Sequence, residues 1–265
     1  MIYDISGNTI YNSKIENFAD NIELDYEYDS TTNANYTVFR IYQTKKDGTK
    51  QYPFVRVPDL NNYTYSALDV ARNENWLLTT NAWGVKSDGL VIENGVLLHS
   101  GQSSRHSGSL PLTIDSNGNL SYTTGDADGS TLIANGIVSV TPGFCPIIVD
   151  YSPVATPTID DTSHFTQNVQ RQIIGQWGNG DYAIVTCEGR NYDHSDGWTI
   201  AEAQTICQKL GLKFAYNLDG GGSTETVFGK KQINTIYENE TGRKVSTFIV
   251  FNGTDTFSIP NGGNS

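Results

Sequence analysis

The sequence predicts an α+β fold that is rich in strands, with mixed or antiparallel sheet and few helices, and three observations carry that prediction. Of 265 residues, 26 are Gly and 15 are Tyr while 37% are hydrophobic, a composition suited to many short strands joined by tight turns. Asn94-Gly95 and Asn117-Gly118 each stand between short alternating segments, the strongest local signal for a two-residue hairpin. A single clear helical pattern, at 199–210, is bounded by capping residues at both ends.

From the N-terminus, residues 1–70 read as a β-hairpin-containing extension or attachment region, and 71–265 as the main domain. Glu16, Asp20, Glu23, Asp25, Glu27 and Asp29 read as a solvated face or loop, with a divalent-cation site as the functional alternative. Alternation at 36–42, turn residues at 46–49 and an extended run at 51–57 predict a hairpin. Short strands follow at 76–80, 89–92, 96–99, 110–114, 119–123 and 133–140, which is the pattern of a meander. Residues 147–149 read as a short buried strand, and 151–163, with Pro153 and Pro157, as a surface loop.

A hairpin is expected from 172–177 and 182–187 around Gly178-Asn179-Gly180. Thr199 and Glu202 form a capping box, Ile200, Ala203, Ile206, Cys207 and Leu210 recur at helical spacing, and Gly211 stops the helix. A strand at 212–218, a hairpin of 224–228 with 232–233, and a last strand at 245–251 complete the pattern.

The formal net charge of -12 argues against nucleic acid, because affinity for a polyanion comes mainly from Lys and Arg. An anionic ligand therefore needs a locally basic site. No basic segment followed by an apolar run comes after Met1, and no stretch approaches the roughly 18 apolar residues of a membrane helix. Neither a signal peptide nor a membrane partner is expected. Cys145, Cys187 and Cys207 are odd in number and widely spaced, so they read as buried small hydrophobes and not as a disulfide framework or zinc cluster.

Chemistry concentrates in Asn217-Leu218-Asp219-Gly220-Gly221-Gly222-Ser223-Thr224. Asp219 directly follows a strand, and consecutive glycines can expose amide N–H groups to phosphate oxygens. The run lacks the Gly-Lys-Ser/Thr ending of a nucleotide-binding loop. Its plain alternative is a glycine-rich turn capped by Asp219.

Taken with Gly197-Trp198-Thr199-Ile200-Ala201-Glu202-Ala203, Leu210-Gly211 and Arg243-Lys244-Val245-Ser246-Thr247, this run resembles the core of the phosphodiester glycosidase family. Arg171-Gln172-Ile173-Ile174-Gly175, Glu188-Gly189-Arg190 and Pro146-Ile147-Ile148-Val149-Asp150 are similar to further family segments, and Asn81-Ala82-Trp83 stands where the family has Asn-Gly-Gly-Phe. The resemblance covers roughly 76–252, with departures at Gln172, Glu188, Ala82 and Trp83. It implies a hydrolase cleaving a glycosyl phosphodiester, such as a teichoic-acid-like or other phosphate-linked glycan.

Cleaving a sugar C1–O bond to phosphate calls for carboxylate stabilisation of an oxocarbenium-like transition state and for cations or amides on the leaving phosphate. Asp219 is the expected carboxylate, with Glu225 or Glu188 as a second acid/base. Arg171 and Arg243 are the expected phosphate ligands, since a guanidinium can grip two oxygens. Asn217, Gly220, Gly221, Gly222, Ser223, Thr224 and Asn81 are the remaining candidates. His194 is an acid/base or ligand candidate, and a surface histidine otherwise. No cofactor is assigned, and Asp193, Asp196 and Asp219 could share a calcium ion.

A rival reading is a non-catalytic carbohydrate-binding or virion module. The opening Met1-Ile2-Tyr3-Asp4-Ile5-Ser6-Gly7-Asn8 looks like the start of tail or baseplate proteins from phages of Gram-positive bacteria. Tail proteins or further copies of the chain would then be partners, and the bacterial cell surface the place of action.

Overall fold

The computed structural model describes the backbone of residues 2–3, 9–11, 15–19 and 163–164, and whole residues 21–84, 88–103, 107–156, 165–190, 194–236 and 242–252. It opens with β1 (Ile2–Tyr3) paired to β2 (Thr9–Tyr11). Three antiparallel strands follow, β3 (Ile15–Ala19), β4 (Ile22–Asp29) and β5 (Ala34–Ile41). Then come β6 (Pro53–Arg56), helix α1 (Ala67–Glu74) and β7 (Leu78–Trp83).

The Asn-Gly hairpins form as the sequence predicts. β8 (Val91–Glu93) pairs with β9 (Val96–His99), and β10 (Leu112–Asp115) with β11 (Leu120–Tyr122). Helix α2 (Gly129–Ala134) precedes β12 (Ile137–Thr141). The strand expected at 133–140 starts late because Asp128 accepts from the Thr131 N–H and caps a short helix there.

The second half contains β13 (Cys145–Val149), β14 (Ser152–Pro153), α3 (Ser163–Thr166), β15 (Arg171–Gln176) and β16 (Tyr182–Cys187). After them come α4 (Ile200–Lys209), β17 (Phe214–Asn217), a 3-10 turn (Gly221–Ser223), β18 (Thr226–Phe228), β19 (Lys231–Gln232) and β20 (Thr247–Phe251). The capping box of α4 is present in full, with Thr199 and Glu202 exchanging side-chain to backbone bonds.

Three larger sheets result, and every strand pairing among the described residues is antiparallel. The largest runs β14-β13-β17-β15-β16-β5-β4-β3, the second β19-β18-β7-β20-β6, and the third β11-β10-β12-β8-β9. Alternation divides the largest sheet between two cores. Phe39, Ile174, Ile184 and Tyr216 point toward Leu78, Phe228 and Ile249 of the second sheet. Val38, Ile173, Val185 and Ala215 point the other way, under Ile200, Ala203 and Ile206 of α4. On the far side of the second sheet, Ala67, Val70 and Ala71 of α1 cover Val227, Phe248 and Val250. The layers are therefore helix, sheet, sheet, helix. All three cysteines are free and buried, as expected.

Two expectations fail in the N-terminal region. The hairpin between 36–42 and 51–57 does not form, although a Thr44↔Lys50 bridge closes its turn. Instead β5 lies between β4 and β16, and β6 pairs with β20 in the other sheet. The reason is that β5 buries both of its faces, Phe39 and Ile41 on one and Val38 on the other, which a two-stranded ribbon cannot do. Residues 22–57 are thus strands of the two main sheets and not a separate extension, and α1 straddles the boundary expected at 70. The acidic residues of β4 fall on the strand's less buried positions, Glu23, Asp25, Glu27 and Asp29.

Candidate functional site

A cleft of about 160 Å³ opens where β15 begins and β17 ends. It is lined by Phe144, Gln167, Val169, Arg171, Arg190, Asn217, Asp219, Gly220, Gly221, Gly222 and Arg243. Strand register brings its two ends together, because β15 and β17 are neighbours with Ile173 opposite Asn217. The Leu218 N–H then continues the ladder to the Gln172 carbonyl at 2.8 Å.

Asp219 leaves this strand and crosses to the other sheet. Its N–H donates to the Ala82 carbonyl at 2.9 Å, and its own carbonyl accepts from Asn81 Nδ2 at 2.6 Å. The carboxylate lies on Gly84, where a Cβ would come 2.5 Å from Oδ2. Any side chain at position 84 would therefore displace it.

Several amides of the glycine turn are bonded within the protein. The Gly221 N–H donates to the Gln170 carbonyl, Ser223 N–H to the Gly220 carbonyl and Thr224 N–H to the Gly221 carbonyl. The glycines also provide a bare surface for guanidinium groups. Arg243 lies so close over Gly222 that a Cβ there would collide with it, and Arg190 lies against Gly221. Arg243 Nη1 also donates to Ser223 Oγ at 3.2 Å.

Arg171 occupies the floor, only 3% exposed. Its Nε donates to the Trp198 carbonyl at 2.7 Å and its Nη2 to the Gln167 carbonyl at 2.9 Å. These carbonyls orient the fork without neutralising it, and among the described residues no carboxylate forms an ion pair with it. Burial lowers its pKa to about 10, so the group stays charged at neutral pH. Asn217 is buried beside it, with Oδ1 lacking a hydrogen-bond partner.

The expected second carboxylates are elsewhere. Glu225 is 1% exposed and accepts from the Ala67 N–H at 2.8 Å and the Leu68 N–H at 3.3 Å. It caps α1, where the helix N-terminus attracts negative charge. Burial raises its pKa to about 7, against the pull of those two N–H bonds. Glu188 is also buried, and its Oε1 accepts from the Thr235 N–H at 2.9 Å. Neither lines the cleft.

Asn81 and Thr224, two further candidates, lie behind the cleft wall, buried at 1% exposure each. His194 is an exposed residue with φ +58° away from the lining set, and Asp193 of the calcium expectation lies outside the described residues. Asp219, Arg171, Arg243, Asn217 and Gly220 to Gly222 do converge. Arg190 was not expected as a ligand, although Gly189-Arg190 belongs to a family-like segment and was its available signal.

One carboxylate, Asp219, and three arginines, Arg171, Arg190 and Arg243, thus line a single cleft around a glycine turn. The chain belongs to the phosphodiester glycosidase family, whose pattern matches residues 68–252. The zebrafish N-acetylglucosamine-1-phosphodiester alpha-N-acetylglucosaminidase catalytic domain, auto-inhibited by its pro-peptide, has the same fold. That structure aligns with a TM-score of 0.68 at 14% identity, over 96% of this chain and 87% of the other. A hypothetical protein from Synechocystis aligns with a TM-score of 0.60 at 14% identity, over 92% of this chain and 64% of the other. The SPbeta prophage-derived uncharacterized protein YomE of Bacillus subtilis is 28% identical over 192 residues, 70% of this chain. The chain spans only 29% of that relative's length.

Proposed function

We propose that the chain hydrolyses a glycosyl phosphodiester, with Asp219 at the reacting carbon and Arg171, Arg190 and Arg243 on the phosphate. The observation that carries this reading is the meeting of three guanidinium groups and one carboxylate in a single cleft of an otherwise acidic chain. As the sugar C1–O bond breaks, the carboxylate stabilises positive charge at C1 and the ring oxygen while the arginines take up charge on the departing phosphate, and a water adds at C1 to give free sugar and a phosphomonoester. Phosphate leaves readily, so a chemistry with one cleft carboxylate needs no strong general acid. A phosphate-linked glycan of the bacterial cell wall, teichoic-acid-like, is the substrate class proposed.

A second reading, a carbohydrate-binding or virion module without turnover, is favoured by one observation. Glu188 and Glu225 are both held away from the cleft by backbone N–H groups. Incubation with sugar-1-phosphate diesters, followed by quantification of free sugar, separates the two. Release that is abolished in Asp219→Asn supports hydrolysis at this cleft. Binding of the diester without release by the wild type, across pH and divalent metals, supports the module.

A further inference from the structure

Asn81 belongs to β7, in the second sheet, yet it is bonded to a residue that follows β17 of the largest sheet. Its side chain is engaged at both ends: Nδ2 donates to the Asp219 carbonyl at 2.6 Å and Oδ1 accepts the Glu225 N–H at 3.0 Å. Its own N–H donates to the Glu225 carbonyl at 3.2 Å, and Thr80 Oγ1 reaches that carbonyl at 3.1 Å. Glu225 is in turn fixed at the start of α1 through Ala67 and Leu68. The Ala82 carbonyl holds the Asp219 N–H, and Gly84 is the bare surface on which the carboxylate rests.

Three contacts that fix Asp219 thus come from Asn81, Ala82 and Gly84, at and just beyond the end of β7. We propose that Asn81 is a positioning residue for Asp219: its amide carries the fixed placement of Glu225 and α1 to the main chain of the cleft carboxylate. It is not a ligand contact, since it does not line the cleft. An amide is needed because one end must donate to a carbonyl while the other accepts from an N–H. The catalytic consequence rests on the hydrolase reading; the placement of Asp219 does not.

Asn81→Asp makes the test sharp. It keeps the volume and the acceptor toward Glu225, but presents an acceptor to the Asp219 carbonyl where a donor stood. Steady-state kinetics on a sugar-1-phosphate alkyl diester, with thermal unfolding and crystal structures of wild type and variant, give three readouts. The expected result is a fall in kcat of about 100-fold with KM changed less than about threefold, in a folded protein whose Asp219 carboxylate has left Gly84. An unchanged kcat, or a loss confined to KM, overturns the proposal. If the wild type releases no sugar from any diester, the hydrolase reading fails separately, and the crystal structures decide positioning: an unmoved Asp219 overturns it. Should Asn81→Asp not fold, Asn81→Ser is judged by the same measurements.

Discussion

The two faces of the central strands carry similar residue types and put them to opposite use. On the cleft face, Arg171 is buried with carbonyl partners and no carboxylate, beside an Asn217 whose Oδ1 lacks a partner. On the face between the sheets, Gln172, Thr186 and Thr226 close a ring of hydrogen bonds at 2.7 to 3.1 Å. Beyond the second sheet, Glu225 is capped onto α1. Polar groups bonded to one another hold a fold together, whereas buried polar groups without full complements cost stability and persist where a ligand completes them. The contrast is one of degree, since Thr37 Oγ1, opposite Thr186 on the face between the sheets, is also buried without a partner.

This contrast is strongest at Asp219. Asp219→Asn removes the cleft's lining carboxylate while keeping its shape, so turnover of a verified diester should fall about 10³-fold, or about 4 kcal/mol of transition-state stabilisation. Its midpoint of thermal unfolding should stay near the wild-type value. A variant that hydrolyses at the wild-type rate breaks the assignment.

Glu225 provides the converse. Its pKa is raised from 4.5 to about 7 by burial, so the folded state holds the proton more tightly than the unfolded chain. The associated stability is fully present below about pH 4.5 and is lost as pH rises toward 7, amounting to about 3 kcal/mol. Denaturant unfolding of wild type and Glu225→Gln, compared from pH 4.5 to 8, should show this difference accumulating across that window. A difference that is flat with pH means the carboxyl is not titrating there.

The smallest effect belongs to the rim. Arg243 is exposed and bonded to Ser223 Oγ, so Arg243→Ala should weaken binding of a sugar phosphate by about 2 kcal/mol, roughly 30-fold, by calorimetry. Its unfolding should change little. A large loss of stability instead would move Arg243 to the fold-holding side of the comparison.

These two uses also explain what could be read in the sequence. The capping box and periodicity of α4, the Asn-Gly hairpins and the β15–β16 hairpin are local patterns, and they appear in the structure as the sequence predicts. Helix α1 lies outside the elements the sequence predicts, although Ser66 and Asp69 form a local capping box too. Asp219, the glycines, Arg171 and Arg243 were legible through family-like segments. The sequence puts Glu225 at the cleft because it lies only six positions after Asp219, while the 3-10 turn between them carries the chain from one sheet to the other. No sequence pattern reports that crossing. The pairing of β5 with β16 rather than with β6 is equally non-local, since it joins residues about 145 positions apart.

The crossing has a consequence for how the molecule comes apart. Arg171 belongs to the largest sheet, and Asp219 follows that sheet's β17 but is gripped by β7 of the second. The cleft therefore opens at the end of the largest sheet, at the point where the chain crosses to the second. Slippage of one layer against the other would separate cation from carboxylate before either sheet had melted, so the ligand-binding geometry is a more sensitive gauge of interlayer registry than the secondary structure is.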